Sequence, residues 1–281
     1  MRAFLYLLFS LSIFLNSITC LECFADSPRI SEIELSKIVD QQKKIFSESN
    51  HWSDEELIRQ AEKIVKKYES YLVENPKDLN ALLLFGKFLR KTGLNEDATK
   101  IFLKVDKIYP SIAVVKQEIG NILVEQGKVI EAFPLFLQAI RLEPDEPIYH
   151  HNLGSFIYIF KDTLKNIDRE KNLGLLMHMS FKEAACLNPS SFDYQLRYAQ
   201  SFFDVNHSSP QEGLIAWNTL LNEFGERTPS ENDYLKFNKA RMLMDLKRFR
   251  DAEFLLQSVR SKSLLKGKNA LLEKAKRGSN P

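Results

Sequence analysis

Apolar positions recur at helical spacing along most of this chain. Leu82, Phe85, Gly86 and Leu89 fall at i, i+3, i+4 and i+7, which predicts one buried helix stripe over residues near 79–92. Gly93 follows as a residue that enters the left-handed region cheaply and so ends a helix. Ala98, Phe102 and Val105 begin a second stripe, stopped by Tyr109-Pro110 because the residue before proline avoids helical conformation. Upstream, Ile33, Ile38, Val39, Ile45 and Phe46 predict a helix near 31–48. Ser53-Asp54-Glu55-Glu56 then has the form of a capping box, opening a helix that ends before Asn75-Pro76. Low glycine content, with Leu, Lys, Ile, Phe and Glu throughout, completes the expectation of an all-α chain.

The helix pair is written twice. Phe85-Gly86, Leu89, Gly93, Ala98, Phe102, Val105 and Pro110 return as Ile119-Gly120, Leu123, Gly127, Ala132, Phe136, Ala139 and Pro144, each displaced by 34 residues. Gly86 lies in the buried stripe, with small Ala98 expected opposite it at a close crossing and Phe102 filling wider space. A hairpin of this kind cannot bury its apolar face alone, so hairpins must stack. Pro76 stands 34 residues before Pro110, making 55–76 the second helix of a degenerate first copy. A third copy holds Leu153-Gly154, Phe181, Ala184 and Pro189, but Gly154 to Phe181 spans 27 residues where Gly86 to Phe102 spans 16. The insertion near 161–172 is expected to be peripheral, either a protruding helical hairpin or a surface loop, because Leu164 and Ile167 are its large apolar residues. A fourth copy carries Tyr198-Ala199, Leu214, Trp217 and Leu220; a fifth carries Ala240, Leu243, Ala252 and Leu256, with Ser230–Asp233 as its cap. Residues 262–281 add a final capping helix that frays.

This period, with an apolar-Gly pair, a mid-repeat Ala, a Phe four residues on and a closing Pro, resembles the tetratricopeptide repeat. The resemblance implies a right-handed α-solenoid of stacked antiparallel helix hairpins that acts as a protein–protein interaction scaffold. It divides the chain into 1–25 as a signal peptide, 26–78 as capping helices with a degenerate repeat, 79–262 as the array, and 263–281 as a C-terminal helix and basic tail. First helices of such arrays line a concave groove, with repeat positions 2, 5, 9 and 12 pointing inward. Transferred to this chain, those positions hold Asn80, Leu83, Lys87 and Arg90; Val114, Gln117, Asn121 and Val124; Ile148, His151, Ser155 and Tyr158; and Asp193, Leu196, Gln200 and Phe203. The expected peptide-binding residues are Lys87, Arg90, Gln117, Asn121, His151, Asn152, Tyr158, Arg197 and Phe203, in a groove basic at one end and mixed apolar and amide in the middle. The carboxylate clamp of chaperone-binding members is not matched: Gln117 and Asp193 stand where it needs lysines, although Asn121, Asn152 and Arg197 are kept.

Composition narrows the function further. With 281 residues, 44% apolar and 27% charged, and a net charge of +2, the chain gives no warrant for nucleic-acid binding. The basic tail, from Lys262 to Arg277, reads as a solvated helix end, with attachment to an acidic surface as the alternative. Arg2, the apolar run Ala3–Ile18 and Cys23-Phe24-Ala25 read as a secretory signal peptide cut after Ala25, with an uncleaved anchor and a lipoprotein at Cys20 as the other readings. A membrane partner is expected only if that segment is uncleaved or lipidated. Cleavage removes Cys20 and Cys23 and leaves Cys186, expected to be a small buried residue. The neighbours His150 and His151 point about 100° apart on a helix and do not share an ion, and they are expected at the helix surface; Met177 and Met179 suit core filling. No nucleophile, phosphate-loop, dinucleotide or metalloprotease motif occurs, so no cofactor, no metal and no catalysis is expected. The chain reads as an exported non-catalytic scaffold (periplasmic or secreted) that binds a partner peptide or protein. The alternative is an accessory subunit or membrane-anchored adaptor docking on one envelope enzyme or transporter.

Overall fold

The computed structural model describes residues 30–48, 51–165, 173–205, 209–224 and 227–279, and among them no residue is in a strand. The expected signal peptide, 1–25, and residues 166–172 of the insertion lie outside the described residues. The chain forms two compact units, one ending at Pro76 and one beginning at Lys77.

The first unit is a helix pair, α1 (Ile30–Glu48) and α2 (Asp54–Glu74). The Ser53 hydroxyl accepts from the Glu56 amide at 3.2 Å and starts α2 where the sequence placed it. The two helices are joined by polar contacts as well as packing: the Tyr68 hydroxyl donates to Gln42 Oε1 at 2.7 Å, and Lys67 to Gln41.

The second unit is a stack of hairpins: α3 (Leu79–Lys91) with α4 (Asn95–Ile108), α5 (Ala113–Glu125) with α6 (Val129–Leu142), α7 (Pro147–Leu164) with α8 (Leu173–Leu187), α9 (Phe192–Ser201) with α10 (Pro210–Glu223), α11 (Pro229–Asp245) with α12 (Phe249–Gln257), and finally α13 (Leu265–Ser279). Each helix packs on the next in sequence, from α3 on α4 through to α12 on α13. This is the all-α architecture of stacked hairpins that the 34-residue pattern predicts.

The close crossing inside each hairpin differs from the sequence expectation in one respect. A Cβ placed on Gly86 would stand 2.8 Å from the Phe102 ring, one on Gly154 would stand 2.7 Å from Phe181, and one on Gly120 would stand 3.3 Å from Phe136. In all three the glycine meets the phenylalanine, and in the first two hairpins this replaces the expected contact with the alanine four residues before it. An aromatic face needs a flat, side-chain-free surface, and a glycine in a helix supplies one. Ala98 and Ala132 are fully buried nearby.

Three of the turns between paired helices repeat one geometry. Gly93 (φ 80°), Gly127 (φ 76°) and Lys247 (φ 58°) each stand in the left-handed region, seven residues after Gly86, Gly120 and Ala240. At each, two amides fold back on the preceding helix: Leu94 to Leu89 O at 2.9 Å, Lys128 to Leu123 O at 2.8 Å, and Arg248 to Leu243 O at 2.8 Å are the longer-range members. The equivalent residue in the third hairpin is Lys161, and there the chain continues as helix. Phe160 (φ −110°, ψ 15°) bends it, and a further turn carries the chain to Leu164.

Four expectations are corrected. Leu164 is 1% exposed and packs in one core with Phe156, Ile157, Leu173, Met177 and Phe181, so the start of the inserted segment belongs to the array. The cap of α11 is Thr228, which exchanges hydrogen bonds with Glu231 in a capping box, with Pro229 as the first helical residue. The downstream Asp233 is buried instead, accepting from the Arg260 and Ser261 amides at 2.8 and 2.7 Å. Cys186 is exposed, because Ala184 and Ala185 carry the inner face of α8 and the next residue rotates outward. Met179 likewise points to solvent while Met177 fills the core.

Lys247 gives a direct test of the turn geometry. A side chain in the left-handed region costs about 1–2 kcal/mol that glycine does not, so Lys247→Gly should raise the thermal midpoint, with a net gain of about 1 kcal/mol after glycine's extra unfolded-state freedom. The same substitution at exposed Lys104, in the interior of α4, should lower it.

Candidate functional site

The first helices α3, α5, α7, α9 and α11 meet one another through side chains at or beside the repeat positions expected to line the groove, which form three clusters.

The first joins α3 to α5. Arg90 clasps Glu125 with both terminal nitrogens, at 2.6 and 2.8 Å, and its Nε stands 3.5 Å from Glu118. Lys87 is exposed beside this group. Burial pushes the Glu118 carboxyl up, and the Arg90 and Lys87 cations pull it back without cancelling the rise. Gln117 is buried and donates to Asn121 Oδ1 at 3.2 Å, so one amide of the expected pair orients the other. The expected basic end is thus largely neutralised inside the fold, and Lys87 is the cation it displays.

The second cluster joins α7 to α9 over one ring. Phe181, laid flat on Gly154, faces the Arg197 guanidinium at 4.3 Å and the His151 ring at 5.7 Å. Arg197 also covers the Tyr158 ring at 4.0 Å and approaches Asp204 at 3.5 Å, while its Nη2 is buried with no hydrogen-bond partner. His151 stacks toward Tyr194 at 5.1 Å and is half-buried rather than at the surface. Burial pushes its pKa down, Arg197 pushes it further, and Asp193 opposes both. Tyr158 remains 44% exposed, which leaves a phenol on the surface held by a cation behind it.

The third joins α9 to α11. Phe203 lies 5.9 Å from Trp217 and under the Arg241 guanidinium at 3.5 Å, and Gln200 donates to the Tyr234 hydroxyl at 2.9 Å. The structure therefore brings together His151, Tyr158 and Arg197, brings Lys87, Arg90, Gln117 and Asn121 into another group, and places Phe203 in a third. Asn152 is half-buried on α7 outside these clusters. Tyr194, Asp204, Tyr234 and Arg241 were missed. For Arg241 a signal existed: it follows Ala240 as Lys87 follows Gly86 and Asn121 follows Gly120. Among the described residues no three His, Cys, Asp or Glu side chains converge as metal ligands.

Solved structures share this architecture. YrrB, described as a TPR protein with an unusual peptide-binding site, superposes with a TM-score of 0.57 at 16% identity, covering 75% of this chain and 97% of its own. The chain has the tetratricopeptide-repeat fold. Pseudomonas aeruginosa PilF superposes at 0.57 with 14% identity over 89% of this chain and 99% of its own. PilW, described as a widely conserved type IV pilus biogenesis factor, superposes at 0.54 with 14% identity over 85% and 99%. No protein-family model and no curated protein sequence matches the chain, so the tetratricopeptide likeness is one of fold.

The side of α9 opposite this face is held by buried His178, whose ring packs on Phe202 at 4.6 Å. The Ser201 hydroxyl donates to Tyr198 O at 2.6 Å and must accept from His178 Nδ1 at 2.8 Å, which sets the neutral tautomer. Burial lowers the His178 pKa, Lys182 adds to the fall, and Glu212 opposes it. A base with its folded pKa below the unfolded 6.5 gives stability that is complete above that pH and lost as pH falls through it. His151 acts in the same direction. The thermal midpoint should therefore fall from pH 7 to pH 5, and the His151→Gln/His178→Gln pair should flatten that slope.

Proposed function

We propose that this chain is an exported, non-catalytic scaffold that binds a partner peptide or protein segment in the concave groove, along the first helices α5, α7, α9 and α11. The observation that carries the reading is the Arg197 stack. A guanidinium held against Tyr158 and Phe181 keeps an aromatic surface ordered before any partner arrives, which cuts the entropy lost on binding. Tyr158 and Tyr234 offer exposed phenols, Phe203 an apolar anchor, and Gln200 and Asn121 amides that both donate and accept. Together these groups suit an extended backbone with apolar side chains. YrrB, which shares the fold, is described as carrying an unusual peptide-binding site, which supports a peptide as the class of partner. Export rests on the N-terminal apolar run and its small-residue cleavage site.

Arg197 is a poor choice for a binding test, because its removal would uncover Phe181 and leave Asp204 without its cation. Photo-crosslinking from single positions avoids this. A crosslinker at Tyr158, Gln200 or Tyr234 in the exported chain, whose N-terminus is expected at Asp26, should capture a discrete partner. The same group at Leu103 or Glu212, on second helices, should not. Capture from the second helices alone would contradict the assignment of this face, and exported material beginning at Met1 would contradict cleavage.

A further inference from the structure

Charge is distributed along this chain with a strong bias that its total conceals. Residues 247–279 carry ten basic and three acidic side chains, a balance of +7 in a chain whose net charge is +2, which leaves −5 for everything else. Six of the ten basic residues lie in α12 and α13; Lys247 and Arg248 stand in the turn before α12, and Arg260 and Lys262 in the junction between the two helices.

Two tethers fix that hairpin. Asp233 accepts from the Arg260 and Ser261 amides and from the Ser261 hydroxyl at 2.9 Å, and Lys268 Nζ donates to Val259 O at 2.6 Å. The junction is therefore held where it displays Arg260 and Lys262. On α13, Ala275 is fully buried and Leu271 and Leu272 pack on the core, which turns Lys266, Lys274, Lys276 and Arg277 outward. Among the described residues no further helix covers that side.

Large apolar side chains stand among these cations. Phe254 is 79% exposed on α12, one turn beyond exposed Arg250, and Leu265 is 42% exposed beside Lys266. Phe254 is the most exposed aromatic side chain among the described residues. We infer that the α12–α13 hairpin is a peripheral membrane-contact face that docks on a bilayer rich in anionic phospholipid. The lysines and arginines meet the headgroup phosphates, and Phe254 and Leu265 enter the boundary with the acyl chains. A nucleic-acid duplex would satisfy the cations but gives Leu265 no apolar phase. Lys and Arg side chains suit the lipid boundary because they keep an apolar stem in it and the charge in water. Residues 77–246 carry twenty basic and twenty-two acidic side chains, so the attraction is concentrated in residues 247–279. This contact does not depend on the N-terminal segment, and it does not depend on the groove assignment.

The test is vesicle co-sedimentation of the full chain, with vesicles of phosphatidylcholine alone and of phosphatidylcholine with about a third phosphatidylglycerol. Each basic residue near an anionic surface contributes about fivefold in affinity. Binding to the anionic vesicles should accordingly be tighter by more than tenfold and should weaken with added salt. The Lys262→Glu/Lys266→Glu/Lys274→Glu/Lys276→Glu variant should lose that preference while melting as wild type, and Phe254→Ser should reduce binding severalfold without altering the salt dependence. The N-terminal apolar run is present in every variant, so differences between them report the hairpin. Equal binding to both vesicles, or an unchanged preference in the charge-reversed variant, would overturn the inference. So would tighter binding to a DNA duplex than to the anionic vesicles, or self-association abolished by Phe254→Ser with no vesicle binding.

Discussion

An aromatic ring set against a helix glycine is the contact on which the first three hairpins of the stack depend. Gly86 under Phe102, Gly120 under Phe136 and Gly154 under Phe181 let paired helices approach until ring and backbone touch. Each ring is then almost wholly shielded from water, at 0, 3 and 0% exposure, which makes it a large apolar contribution to the core. The stack follows: a hairpin closed this way still has apolar sides, and the next hairpin covers them.

In the third hairpin the same contact reaches the surface chemistry. Phe181 is pressed onto Gly154 on one side and presents itself to Arg197 and His151 on the other. Arg197 in turn holds Tyr158. A packing rule of the fold thereby becomes a positioning rule for the candidate site, since moving the ring would move the guanidinium and the phenol with it. The insertion does not disturb this arrangement. Without a glycine at Lys161 the helix runs on, and Leu164 joins the core beside Phe181.

What could be read from the sequence follows the same physics. Gly93 and Gly127 were legible as turns because glycine takes positive φ at little cost, whereas Lys247 adopts that conformation with no mark in its residue type. Helix stripes and the 34-residue period were legible because burial repeats with the helix. Leu164 was not, because a two-residue apolar content suggests a loop until the missing glycine at Lys161 is taken into account. The placement of Arg90 and Arg197 at or beside the groove positions was legible from register, but their partners were not. Glu125 lies one repeat away, and Phe181 comes from a second helix displaced by the insertion, so nothing local in sequence announces either contact. The cap of α11 was misplaced because Ser230 and Thr228 are both acceptable caps, and the proline at position 229 decides between them.

Comparing thermal unfolding of Gly154→Ala, Gly86→Ala and Gly120→Ala tests the central contact most directly, because two effects give opposite signs. Helix propensity alone would make each alanine stabilising by about 1 kcal/mol. The ring contact makes the added methyl a clash at 2.7 Å from Phe181 and 2.8 Å from Phe102, and a tight but tolerable neighbour at 3.3 Å from Phe136. Overpacking of a well-filled core costs about 1–3 kcal/mol. The account predicts that Gly154→Ala and Gly86→Ala lower the midpoint and that Gly120→Ala changes it least. A uniform rise in all three would contradict it.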